Sequence, residues 1–225
     1  MKIGVVVVAG GRGERMGADV PKQFLALSDD RCVLEATVER FAEALPDARI
    51  AVVLPGDGVD KWRRINEEHS FDVPHVVALG GATRFESVRR GLGALPDADV
   101  IAVTDGVRPF VSHGLIRLLT EEAAEYGSAV ASTPVYDTLR RRNGEASEKA
   151  DRNEFFTVQT PQVFRGDTQS LRGGWRRRRF HRRCLRSRGF RHTGQIRYGR
   201  KEQYENHLAR GYGRGKGRVR MGAGR

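Results

Sequence analysis

The stretch AGGRGERMGADVPKQF, residues 9–24, sets three glycines (Gly10, Gly11 and Gly13) and two cations (Arg15 and Lys22) directly behind an apolar run. Glycines let backbone N–H groups approach an anion closely, and Arg and Lys supply positive charge, so the pattern suits a triphosphate. A plain strand-to-helix turn has the same composition, and both readings stand at this point. Two familiar nucleotide loops are excluded by spacing. A Walker loop needs Gly, four residues, then Gly-Lys-Ser/Thr, and the dinucleotide fingerprint needs a small residue where Met16 stands. No nucleophile elbow supports a Ser-His-Asp hydrolase. His69, His75 and His113 lack metal-ligand spacing and are expected at the surface or in loops. The Arg140–Arg142 run reads as a solvated hairpin tip.

The elements that must position these residues follow from hydrophobic periodicity. Residues 3–9 (IGVVVVA) and 50–54 (IAVVL) read as strands buried on both faces, as do 76–79 and 100–104. Between them lie amphipathic patterns: Val38, Phe41 and Leu45; Val59, Trp62 and Ile65; Phe85, Val88 and Leu92; Leu115, Leu118 and Leu119. The alternation is a βαβ rhythm, which predicts a largely parallel sheet covered by helices. Residues 136–157 are polar and charged around Asn143-Gly144, a turn signal, and predict a hairpin projecting from the sheet.

The 225 residues are ample for a sizeable core in one or two domains. The formal charge of +12 is unevenly spread. Residues 1–166 hold 21 Lys and Arg against 25 Asp and Glu, whereas residues 167–225 hold 19 against 3. Two cysteines, one in each part, argue against a disulfide framework and fit a reducing compartment, with the cytoplasm as the expected location. The apolar opening is too short for a membrane span and leads into glycines and charge rather than a cleavage site.

The combination GxGxRM followed by PKQ resembles the nucleotidylyltransferase family, most closely the 2-C-methyl-D-erythritol 4-phosphate cytidylyltransferases. Further pieces appear in the family order: GGATRFESV at 80–88, DGVRPF at 105–110, PVYDTL at 134–139, DRN at 151–153 and QTPQVF at 159–164. The resemblance spans residues 1–166 and implies a Rossmann-like, three-layer α/β nucleotidyltransferase fold with a projecting β-hairpin arm. It implies attack by a polyol phosphate oxygen on the α-phosphorus of CTP, with pyrophosphate leaving and Mg²⁺ as cofactor. Arg15 and Lys22 match the catalytic cations. Ala9, Gly10, Gly11, Gly13, Gly81 and Ser87 match nucleotide-binding positions, the last two facing cytosine. Asp105 matches the metal-holding carboxylate, and Arg108, Thr138, Arg152 and Thr160 match the polyol phosphate region. In the family the arm embraces a second subunit, so a homodimer is expected, with Arg152 serving the neighbour's site. Thr104-Asp105-Gly106-Val107 stands where His-Asp-Ala-Ala is common, and it keeps the carboxylate. A ribitol 5-phosphate cytidylyltransferase shares the loop chemistry and differs in the polyol pocket.

Residues 167–225 depart from the family ending. Synonymous codons for residues 175–188, read one base later, yield Phe-Thr-Asp-Asp-Ala-Ser, a family segment otherwise absent. The same shift over residues 201–213 yields a segment resembling the family's NIKIT and PED. A one-base slip of the reading frame near residues 167–172 accounts for both, and the basic tail is then unselected, poorly packed sequence. Loss of the NIKIT lysine predicts weak or absent turnover. A genuine arginine-rich arm with Phe180, Tyr198 and Tyr204 would instead bind RNA, a less favoured reading.

Overall fold

A computed structural model describes residues 1–10 and 20–165 and the backbone of residues 197–198. The main strands are β1 (Ile3–Val8), β4 (Arg49–Leu54), β5 (Val76–Leu79), β6 (Val100–Asp105), β7 (Ser128–Pro134), β10 (Phe156–Arg165) and β11 (Arg197–Tyr198). A small pair, β2 (Ala26–Ser28) and β3 (Arg31–Cys32), precedes the first helix, and a second pair, β8 (Leu139–Asn143) and β9 (Ala146–Ala150), stands apart from the main sheet. The helices are α1 (Val33–Ala44), α2 (Gly56–Glu68), α3 (Arg84–Gly93) and α4 (His113–Tyr126).

The main sheet runs β11-β7-β10-β6-β1-β4-β5. Strands β6, β1, β4 and β5 are mutually parallel, whereas β10 is antiparallel to both β6 and β7. Strand alternation explains the three layers. Val5, Val7, Ile50, Val52, Leu54, Val100 and Ala102 join a core with residues of α1, α2 and α4, including Phe41, Trp62 and Ile116. Val6, Ala51, Val53, Ile101 and Val103 point the other way and pack with Val88 and Leu92 of α3. Gly91 lets α3 approach closely, because a Cβ there would lie 2.5 Å from Val6 Cγ1 and 2.8 Å from Val53 Cγ2. Helix ends follow local chemistry. Thr83 caps α3 and Ser112 caps α4 through their hydroxyls, and α4 ends at Gly127 with φ 93°.

Three expectations need correction. β5 is not buried on both faces: it is an edge strand with Val76, Val77 and Leu79 at 40, 43 and 56% exposure. A run of four apolar residues reads the same whether or not a neighbour covers it. The core face of α4 is Ile116, Leu119, Thr120 and Ala123, a clean i, i+3, i+4, i+7 stripe, with Leu115 and Leu118 only half-buried beside it. The hairpin is confined to residues 139–150, and its two-residue loop is Gly144-Glu145, because Asn143 pairs with Ala146. Gly144 takes φ 60° at the first loop position, which shifts the turn one residue from the Asn-Gly signal. Phe156 and Thr157 belong to β10 and pair with Pro134 and Thr133 of the main sheet.

Of the histidines, His69 caps the end of α2 and its Nδ1 lies 2.7 Å from Glu35 of α1; His75 takes a hydrogen bond from Trp62 at 3.0 Å; His113 opens α4 beside Glu43 at 2.9 Å. Among the described residues no helix is long and apolar enough to cross a membrane. Gly11, Gly13 and Arg15 lie outside the described residues, as does the tail on which the frame-slip and RNA readings rest, its two-residue backbone stretch excepted.

Candidate active site

The topology itself selects a location. From β1 the chain passes through α1 to β4 and outward to β5, then returns to add β6 on the other side of β1. The reversal opens a crevice beyond the carboxyl ends of β1 and β6, where ligands bind in open α/β sheets. The two strands are in register there, Val8 opposite Asp105, so Ala9 and Gly10 leave the sheet beside the Asp105 carboxylate.

A cleft of about 350 Å³ occupies this place, lined by Ala9, Gly10, Lys22, Gly81, Ser87 and Asp105, with Gln23, Thr83 and Arg84 among its other walls. Lys22 begins a 3-10 turn, Lys22–Phe24. The turn is anchored by Gln23, 3% exposed, whose Nε2 donates to Ala9 O at 2.8 Å, and by buried Phe24. A lysine is thereby held against the end of β1 by its apolar and amide neighbours.

The opposite wall is the loop between β5 and α3. Ser87 Oγ accepts from Gly81 N at 3.1 Å and donates to Thr83 O at 3.0 Å, so one lone pair of the oxygen remains. Such an oxygen can accept from an exocyclic amino group. Thr83 Oγ1 accepts from Glu86 N at 3.2 Å, while Glu86 Oε2 accepts from Ala82 N at 2.9 Å. The loop is thus clamped by side chains of the helix it leads into. Gly81 is required by close approach: a Cβ there would stand 2.3 Å from Glu86 Cβ.

Asp105 joins the two halves. Its Oδ1 accepts from Arg84 Nη2 at 3.0 Å, and its Oδ2 lies 3.4 Å from Thr160 Oγ1 of β10. Its side chain is 33% exposed and that of Arg84 is 44% exposed, so both remain open to the cleft. Arg108, three residues beyond Asp105, is half-buried, and its Nε has no hydrogen-bond partner among the described residues.

Ala9, Gly10, Lys22, Gly81, Ser87 and Asp105 therefore converge, with Thr160 touching Asp105. Thr138 and Arg152 do not line the cleft; both are exposed at the foot of the hairpin, where Arg152 Nη1 donates to Tyr136 O at 2.6 Å. Sequence reasoning missed Arg84, Gln23, Thr83 and Glu86. The Thr83-x-x-Glu86 spacing before an apolar run is a legible capping signal. The Arg84–Asp105 pair has no such signal, since its partners come from separate elements, the start of α3 and the end of β6.

Comparison with known proteins decides the family. A model of the 2-C-methyl-D-erythritol 4-phosphate cytidylyltransferase family matches residues 3–179. The chain belongs to this family. Curated cytidylyltransferases of that name from Bacteroides thetaiotaomicron and Porphyromonas gingivalis are each 44% identical, over 164 and 162 residues. These matches cover 73 and 72% of the chain and 74 and 72% of the relatives. The crystal structure of the Thermus thermophilus cytidylyltransferase is similar at TM-score 0.56 and 31% identity, covering 94% of this chain and 86% of that one. A 4-diphosphocytidyl-2C-methyl-D-erythritol synthase from Anaerococcus prevotii shares the fold at TM-score 0.68, with 21% identity and 93 and 94% coverage. The cleft between β1, the β5–α3 loop and β6 is accordingly the candidate nucleotide site of a cytidylyltransferase.

Proposed function

We propose that this cytidylyltransferase transfers the cytidylyl group of CTP to 2-C-methyl-D-erythritol 4-phosphate, releasing pyrophosphate and forming 4-diphosphocytidyl-2-C-methyl-D-erythritol in the non-mevalonate route to isoprenoid precursors. The observation that carries this reading is the convergence of Lys22, Gly81, Ser87 and Asp105 on one cleft in a chain of this family. In the reaction an oxygen of the polyol phosphate forms a bond to the α-phosphorus of CTP while the bond to the β-phosphate oxygen breaks. Neither step needs a covalent enzyme intermediate, so positioning and charge neutralisation supply the catalysis.

Gly81 and Ser87 hold the cytosine edge, the first by close backbone approach and the second through its hydroxyl. Lys22, with Arg15 from the glycine loop, neutralises charge that builds on the phosphoryl oxygens and the leaving pyrophosphate. Arg108, three residues beyond Asp105 but not itself lining the cleft, supplies the positive charge for the polyol phosphate in this reading. Asp105 suits Mg²⁺: a single, partly exposed carboxylate beside a triphosphate cleft fits a hard cation that takes its remaining ligands from phosphate oxygens and water. When bound, the ion supplies positive charge to the triphosphate.

The arm serves dimerisation in this reading. Tyr136, Phe155, Phe156 and Val158 leave an apolar surface at its foot, 58, 37, 40 and 54% exposed. Thr138 and Arg152 stand on the same foot and would face the site of the second subunit. The cytoplasm is the proposed location, supported by the cysteine usage.

The test is pyrophosphate release from CTP with 2-C-methyl-D-erythritol 4-phosphate or ribitol 5-phosphate as acceptor. Release with the former and not the latter, at the low rate expected of a chain without the NIKIT lysine, supports the proposal. Preference for ribitol 5-phosphate, or CTP hydrolysis indifferent to acceptor, overturns it.

A further inference from the structure

We propose that Arg84 is a placeholder cation, which neutralises Asp105 and transfers to the triphosphate when a nucleotide arrives with its divalent ion. The inference rests on the nucleotide and metal roles proposed above and assigns Arg84 a positioning role within them.

The geometry is specific. Arg84 is the first residue of α3, directly after the Thr83 cap, and its side chain crosses the cleft to Asp105 Oδ1 at 3.0 Å. Thr160 Oγ1 lies 3.4 Å from the other carboxylate oxygen, Oδ2. Both oxygens thus carry one contact each, and a divalent ion drawn to the carboxylate competes with the guanidinium for its charge. Arg84 and Asp105 both line the cleft that also holds Gly10 and Lys22, so the displaced guanidinium stays within the space that takes phosphates. A planar guanidinium binds phosphate oxygens in paired hydrogen bonds, and it keeps its charge at any working pH. The exchange is easy because the pair is partly exposed, 44% for Arg84 and 33% for Asp105, and such pairs are weakly held. A buried pair would lock the carboxylate instead.

Two effects of opposite sign follow from one substitution. Without Arg84 the carboxylate has no resident cation, so a divalent ion binds more readily on its own. At the same time the triphosphate loses a cation, so CTP without metal binds less well. A purely structural arginine would not move the two in opposite directions.

The experiment is a Mn²⁺ titration of the ligand-free full chain followed by electron paramagnetic resonance, with a parallel CTP titration in chelator, on the natural protein, Arg84→Gln, Arg84→Lys and Asp105→Asn. For Arg84→Gln the expected result is Mn²⁺ affinity raised by about 3- to 10-fold and metal-free CTP affinity lowered by a similar factor. Arg84→Lys keeps the charge and is expected to hold Mn²⁺ affinity near that of the natural protein while recovering part of the CTP affinity. Unchanged or weaker Mn²⁺ binding in Arg84→Gln overturns the proposal, and Arg84→Lys decides the matter if the Gln variant fails to fold. Asp105→Asn separates the underlying reading: if it leaves Mn²⁺ binding in the presence of CTP intact, the metal role of Asp105 falls, whatever Arg84 does.

Discussion

Replacing Gly81 by Ala tests the nucleotide wall at its tightest point. The added Cβ would stand 2.3 Å from Glu86 Cβ and 3.3 Å from the Glu86 backbone carbon, where ordinary contacts begin at 3.4 Å. Glu86 Cβ cannot swing away, because it is fixed to the first turn of α3. The loop must therefore move by about 1 Å, and a displacement of that size costs about 10²-fold in a positioned reaction. Typical overpacking strain, about 1–3 kcal/mol, gives the same range. The shift would also stretch the Gly81 N to Ser87 Oγ bond of 3.1 Å and the Ala82 N to Glu86 Oε2 bond of 2.9 Å, which hold the base-facing wall. Calorimetric titration with CTP should show affinity reduced by about 10- to 100-fold. The same strain is released on unfolding, so a thermal melt should show Tm lowered by about 2–12 °C. CTP affinity within about 3-fold of the natural protein, with an unchanged melt, would refute the claim that this loop is shaped by close approach.

Gly91→Val sets a Cβ 2.5 Å from Val6 Cγ1 and 2.8 Å from Val53 Cγ2, both side chains fully buried, and should cost about 1–3 kcal/mol or more, seen as a lowered Tm. Burial pushes the Cys32 thiol up to about 12 from its ordinary 9.0. The raised value means its neutral form contributes stability below the unfolded pKa, and that contribution is lost as pH rises from about 9 to 12. A Cys32→Ala variant should therefore lose less stability over this alkaline range than the natural protein, as followed by denaturant titration. The encoding DNA, read one base later beyond codons 167–172, should yield the FTDDAS and NIKIT-like segments; a frame whose codons cannot do so removes the explanation of the basic tail.

The parts legible in the sequence were those governed by local pattern. Strands β1, β4 and β6 announce themselves because both faces are apolar, and four helices follow from their stripes. The cleft residues Lys22, Gly81, Ser87 and Asp105 were readable because each sits in a short motif at the end of a strand or the start of a helix. What was not legible depends on neighbours distant in the chain. The exposure of Val77 is decided by β5 lying at the sheet edge, and the Arg84–Asp105 pair joins the start of α3 to the end of β6, 21 residues apart. Glu35, fully buried, accepts from Cys32 N at 2.7 Å as a capping box would, yet a cysteine at the cap position hides it from the usual Ser/Thr pattern.

The central claim is that the cleft grips a cytidine triphosphate. Titration calorimetry with CTP and Mg²⁺ measures this directly on the natural protein, Lys22→Ala and Asp105→Asn. Saturable binding at one CTP per chain, preferred over ATP and GTP and weakened at least about 10-fold by either substitution, is the expected result. Binding that ignores both substitutions, or no preference for the cytosine base, would contradict it.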